Sequence, residues 1–130
     1  MDELEQILDR IQNAHTDGTP VISAKLITFR EQILTTSPAP GSSQWQAFDQ
    51  VVEAREAEIG HDYMDVPSLR LWTYILKALA WRAQGQLDWY AEELDEIVRF
   101  AQQTSDTESL SGFFNQYLPM IEAALAQARS

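Results

Sequence analysis

Residues 67–103 read PSLRLWTYILKALAWRAQGQLDWYAEELDEIVRFAQQ, two helical patterns that meet at Gly85. Leu69, Trp72, Leu76, Leu79, Ala80 and Ala83 recur at helical steps and share one side of the first pattern. Leu71, Tyr74, Ala78 and Trp81 follow a 3-4-3 spacing and lie roughly opposite, with Ile75 between the two sets. A helix apolar nearly all round is buried in the middle of a domain, or buries its second face against another chain. The second pattern is one-sided: Leu87, Tyr90, Ala91, Leu94, Ile97, Val98 and Ala101 are predicted to face inward, with Asp88, Glu92, Asp95 and Glu96 on the other side. These two patterns set the fold class as all-α.

Working outward, residues 2–15 predict an amphipathic helix with Leu4, Ile7, Leu8, Ile11 and Ala14 on one face, and Asp2, Glu3 and Glu5 at the positive end of its dipole. Thr16-Asp17-Gly18-Thr19-Pro20 breaks it with turn residues. A second helix is predicted from Val21 to Leu34, burying some of Ile22, Leu26, Phe29, Ile33 and Leu34, although its β-branched residues also allow a strand. The loop TTSPAPGSS at 35–43 ends at Ser43, a cap for a third helix whose stripe is Trp45, Phe48, Val52, the Arg55 stem and Ile59. Gly60 ends that helix, and Pro67 suits the first turn of the next. Beyond the polar turn at 104–108, Ser109 or Thr107 caps a last helix lined by Leu110, Phe113, Phe114, Tyr117, Leu118, Ile121 and Leu125, which Pro119 is expected to kink or split. Six helices with short connections make a single domain of antiparallel hairpins over residues 1–130.

The central hairpin resembles a single tetratricopeptide-type helical pair in the placement of Ala78, Trp81, Gly85, Leu87, Leu94 and Ile97. The resemblance covers about a quarter of the chain. It departs from the family at Tyr90, where such repeats pack a small residue, and what it implies is architecture.

Twenty acidic against nine basic residues leave a formal charge of −11, a field that repels phosphates and favours encounter with a basic partner. Direct binding of nucleic acid or of an anionic membrane is therefore not expected. The chain has no cysteine, which excludes a disulfide scaffold and thiol chemistry, and its N-terminal stretch has no uninterrupted apolar run. A cytoplasmic protein is the expectation.

Three arrangements of titratable residues suggest chemistry. Metal-dependent phosphohydrolases of the HD class use a first His, a His-Asp pair and a later Asp on a helical bundle, and His15, His61, Asp62 and either Asp88 or Asp95 occur in that order. The His-Asp pair here follows Gly60 in a turn, not in an apolar helix. Glu58 and His61 have the E-x-x-H spacing of carboxylate-bridged di-iron bundles, without the second copy such a site needs. Glu92-Glu93 with Glu96 is half of the magnesium signature of helical nucleoside-triphosphate pyrophosphohydrolases, but the matching E-x-x-D is missing because Leu125 follows Glu122 at that spacing. No catalytic residue, metal ligand or cofactor is therefore assigned.

The remaining signal is a recognition surface. Asp88, Glu92, Glu93, Asp95 and Glu96 put five acids and no base into nine residues, and Trp89 falls outside the inward stripe among them. A tryptophan flanked by carboxylates suits a basic protein, as an apolar anchor with charges that orient it. The expected function is thus non-enzymatic protein binding, as a small acidic adaptor or a cognate inhibitor such as an immunity protein. Steering would come from residues 53–65 and 88–96. The phosphohydrolase centred on His61 and Asp62 is the runner-up. The third reading is a homo-oligomeric subunit that dimerises through Leu71, Tyr74, Ala78 and Trp81.

Overall fold

The computed structural model describes residues 3–13, 15–16, 19–36, 38–39, 41–59, 65–104 and 115–129. Among these the chain is all-helical: α1 (Glu3–Gln12), α2 (Ala24–Thr36), α3 (Ser43–Ile59), α4 (Asp65–Ala83), α5 (Leu87–Thr104) and α6 (Leu118–Arg129). A two-residue antiparallel ladder between α1 and α2 pairs His15 with Pro20 and Thr16 with Thr19, bracketing the predicted turn. No described helix is long and apolar enough to cross a membrane.

α4 is the centre of the fold, in contact with α1, α2, α3 and α5, while α6 lies against α5 and α1. Its Leu69, Leu71, Trp72, Ile75, Leu76, Ala78, Leu79 and Ala80 are all buried, as a helix apolar on both faces must be. One face of α4 meets the earlier helices. Phe48 of α3 sits 5.2 Å from Trp45, 5.8 Å from Phe29 of α2 and 6.0 Å from Trp72, centroid to centroid. These edge-on and tilted contacts bind α2, α3 and α4 through one ring. The half-buried Gln12 amide of α1 does the same for polar groups: Trp72 Nε1 donates to Gln12 Oε1 at 3.2 Å, and Arg30 of α2 donates to the same oxygen while pairing with Asp9 at 2.8 Å.

On the opposite face of α4 lie Leu71, Tyr74, Ala78 and Trp81, and Tyr74 also borders a groove against α3. Leu71 and Ala78 are wholly covered within the chain, and the half-buried Tyr74 and Trp81 pack on Phe100 and Trp89 of α5. The cause is the short α4–α5 connection, which lays α5 back along this face; Trp81 beside Trp89 and Tyr74 beside Phe100 make the pair antiparallel.

Element ends differ from the reading in informative ways. α2 starts at Ala24, not Val21, because the Ser23 hydroxyl accepts from the Leu26 N–H and its carbonyl accepts from Ile27, a side-chain cap and first turn. Val21 and Ile22 precede the helix and are buried, and the strand alternative fails from Ala24 onward. Ser42, not Ser43, closes the first turn of α3 by accepting from the Gln46 N–H, after a turn in which Gly41 adopts φ +96°. The Arg55 stem does lie on the α3 stripe; its Nε donates to the Val21 carbonyl at 3.0 Å. Pro119 stands in the first turn of α6, where its missing N–H costs nothing, and Tyr117 accepts the first helical bonds from Met120 and Ile121. The predicted positions Asp2, Ala14, Gly60, His61, Asp62 and 105–114, with their caps and apolar residues, fall outside the described residues.

Candidate functional site

The α4–α5 turn is built by local backbone bonding. Gly85 adopts φ +75°, its N–H donates to the Arg82 carbonyl at 3.0 Å, and the Gln86 N–H reaches back to Trp81 at 3.0 Å. This pair of bonds is the Schellman arrangement, which needs a left-handed residue where Gly85 stands. Gln86 at once opens α5 by accepting from the Tyr90 N–H at 2.9 Å. The reversal is so tight that residues a turn before Gly85 meet residues a turn after it.

Trp81 and Trp89 are the product of that geometry. Their rings stack at 5.5 Å with planes 22° apart. Trp81 is half-buried, whereas Trp89 is 55% exposed and Leu87 54%, the two large apolar side chains left open among the described residues. Leu87 was expected inward. It stands instead at the first residue of α5, beyond the end of α4, where no helix covers it; the inward stripe begins at Tyr90 and continues through Ala91, Leu94, Ile97 and Ala101. Ala83, also expected inward, is exposed at the end of α4 for the same reason.

The five carboxylates around Trp89 separate into three groups. Asp95 accepts from Arg99 at 2.7 Å and lies 3.7 Å from Arg129 of α6, and Glu96 pairs with the same Arg99 at 3.2 Å. The Arg99 hydrogen bond holds the Asp95 carboxyl below its ordinary range, and Asp95 in turn raises Arg99. These two acids fasten α5 internally and to α6. Glu93 is half-buried and accepts from the Trp81 indole N–H; burial pushes its pKa up, opposed by that bond and by Lys77. Asp88 and Glu92 are exposed and make no ion pair among the described residues. Asp88 in the first turn suits the α5 dipole. The open surface is therefore Leu87 and Trp89, backed by Trp81 and edged by Asp88 and Glu92.

A second opening lies between α3 and α4. Asp49, Glu53 and Glu56 face Arg70, Tyr74 and Lys77 across a groove of about 220 Å³, with the buried Val52 and Thr73 in its floor. Residue types along α3 hinted at an acidic segment there. The facing cations of α4 went unread because the apolar pattern dominates that helix.

Among the described residues, those of the suggested metal chemistries are not brought together. His15 lies in the short ladder, Asp88 is exposed at the tip of the hairpin, Asp95 is held by Arg99, and His61 and Asp62 lie outside the described residues. Among the described residues no three His, Cys, Asp or Glu are grouped to hold a metal. No protein-family model, curated protein or solved structure matches the chain.

Proposed function

We propose that the chain is a non-enzymatic binding module, an adaptor or cognate inhibitor, that docks a basic protein on the tip of the α4–α5 hairpin. The observation that carries this reading is the exposed Trp89, stacked on Trp81 and flanked by the exposed Asp88 and Glu92, which make no ion pair among the described residues. An indole fixed before binding loses little freedom on docking, so more of its burial is realised as affinity. Tryptophan is also enriched among the residues that dominate binding energy. The charge of −11 supplies attraction at a distance for a basic protein, and the exposed Asp88 and Glu92 supply direction on contact.

The test is capture of partners from the native host, followed by binding kinetics with the purified partner. A basic partner should be lost in Trp89→Ala and kept in Glu122→Gln, an exposed acid on α6. An acidic partner, or one whose binding survives both Trp89→Ala and the double change Asp88→Lys with Glu92→Lys, overturns the reading.

A further inference from the structure

The α3–α4 groove is a ladder of charge pairs with its middle rung incomplete. On α3, Asp49, Glu53 and Glu56 share one face at helical spacing. At one end Asp49 pairs with Lys77 at 3.4 Å, and at the other Glu56 pairs with Arg70 at 3.3 Å. Between Lys77 and Arg70 the α4 residues that line the groove are Thr73 and Tyr74, neither of which carries a charge. Glu53 is exposed and has no cation opposite it among the described residues. Its carboxylate thus faces an open groove of about 220 Å³ whose other charges already neutralise one another.

We propose that this groove receives one arginine side chain from the partner protein, its guanidinium completing the ladder at Glu53. A guanidinium fits better than an ammonium because its planar fork bonds a carboxylate through two N–H groups and stacks on aromatic rings such as Tyr74. The groove is continuous with the hairpin site along α4, since Arg70, Tyr74, Lys77 and Trp81 form one stripe. From Tyr74 to Trp81 the helix rises roughly 10 Å. An extended segment covers that in about three residues. The source of the arginine rests on the binding function proposed above; the chemistry of the groove does not.

The experiment is an amide-resolved NMR titration of the full chain with N-acetylarginine methylamide, repeated with the lysine analogue. Shifts should saturate at residues 49–56 and 70–77. In Glu53→Gln, an exposed change that leaves the core alone, the Kd should rise at least about tenfold, equivalent to ~1.4 kcal/mol. It should be unchanged in Trp89→Ala. Shifts that never saturate and spread over the acidic surface, or that are equal in Glu53→Gln, overturn the groove. Equal affinity for the lysine analogue overturns its assignment to a guanidinium. Arginine binding that survives while Trp89→Ala leaves partner capture untouched would instead fail the hairpin site and leave the groove standing.

Discussion

Trp81 and Trp89 stack across the α4–α5 turn with centroids 5.5 Å apart, each four residues from Gly85 in opposite directions. A tight antiparallel return superposes residues at equal distance from its turn, so the pairing is a consequence of where Gly85 falls. The two rings nonetheless carry different loads. Trp89 gives the stack and an exposed face; Trp81 gives the stack, a buried edge and the N–H that Glu93 accepts.

Their truncations should therefore cost unequal stability. Trp89→Ala removes mainly the ring pair and should cost about 0.5–1.5 kcal/mol. Trp81→Ala also removes buried area and leaves a half-buried carboxylate without its donor, so a loss of about 2–3 kcal/mol is expected. Urea denaturation of both variants measures this, and a larger loss in Trp89→Ala would contradict the assignment of the exposed ring.

Glu93 and Asp95 should move stability with pH in opposite directions. Burial raises the folded pKa of Glu93 above its ordinary 4.5, so ionising it costs stability at neutral pH and costs nothing below 4.5. Glu93→Gln keeps an acceptor for Trp81 and should be more stable than the parent at pH 7, the difference closing as pH falls through the raised value towards 4.5. Asp95 is depressed below its ordinary 3.8 by Arg99, so its contribution is present above 3.8 and is lost as pH falls through the folded value. Asp95→Asn should be the less stable protein at pH 7, with its deficit vanishing in strong acid. Thermal unfolding from pH 3 to 7 reads both signs, and either reversed sign would refute the corresponding placement.

The helical class and the central position of α4 were legible because an apolar pattern on two faces admits few other arrangements, and Leu69 to Ala80 are buried accordingly. What covers the second face was not legible. Spacing says that Tyr74 and Trp81 share a side, but only the tightness of the turn assigns that side to α5. Within the acidic run, spacing also could not separate free charge from paired charge. Asp95 and Glu96 have Arg99 one turn away, a cue that was available in the sequence, whereas the Arg129 contact to Asp95 depends on the packing of α6. Leu87 misled because periodicity does not record that a helix's first residue can lie past the end of its cover.

Gly85 should be replaceable only at a backbone cost. A Cβ there meets nothing within 4 Å, so crowding is not the obstacle; the φ of +75° is. Gly85→Ala should lose about 1 kcal/mol. Gly85→Asn should lose less, since asparagine tolerates this region, and Gly85→Val more, since a β-branched residue does not. Denaturation midpoints in the order Gly, Asn, Ala, Val check this, and a valine as stable as asparagine would mean that the turn is not held as described.

Charge reversal should separate the acids that meet a partner from those that hold the hairpin. Asp88 and Glu92 are exposed and unpaired among the described residues, so Asp88→Lys with Glu92→Lys should leave the fold unchanged and slow association with a basic partner. The slowing should be greatest at low salt, because charges act before contact over about a Debye length, ~10 Å at 0.1 M. Trp89→Ala acts after contact, and should appear mostly in the dissociation rate, at a cost of about 2 kcal/mol or more. Asp95→Lys with Glu96→Lys differs in kind. It sets like charges against Arg99 and Arg129, so it should lower the unfolding midpoint whatever it does to binding. Stopped-flow association at several ionic strengths, beside thermal melts of each pair, resolves the two effects. If the Asp95/Glu96 pair slows association without any loss of stability, both acids face the partner and the division of the acidic run is wrong.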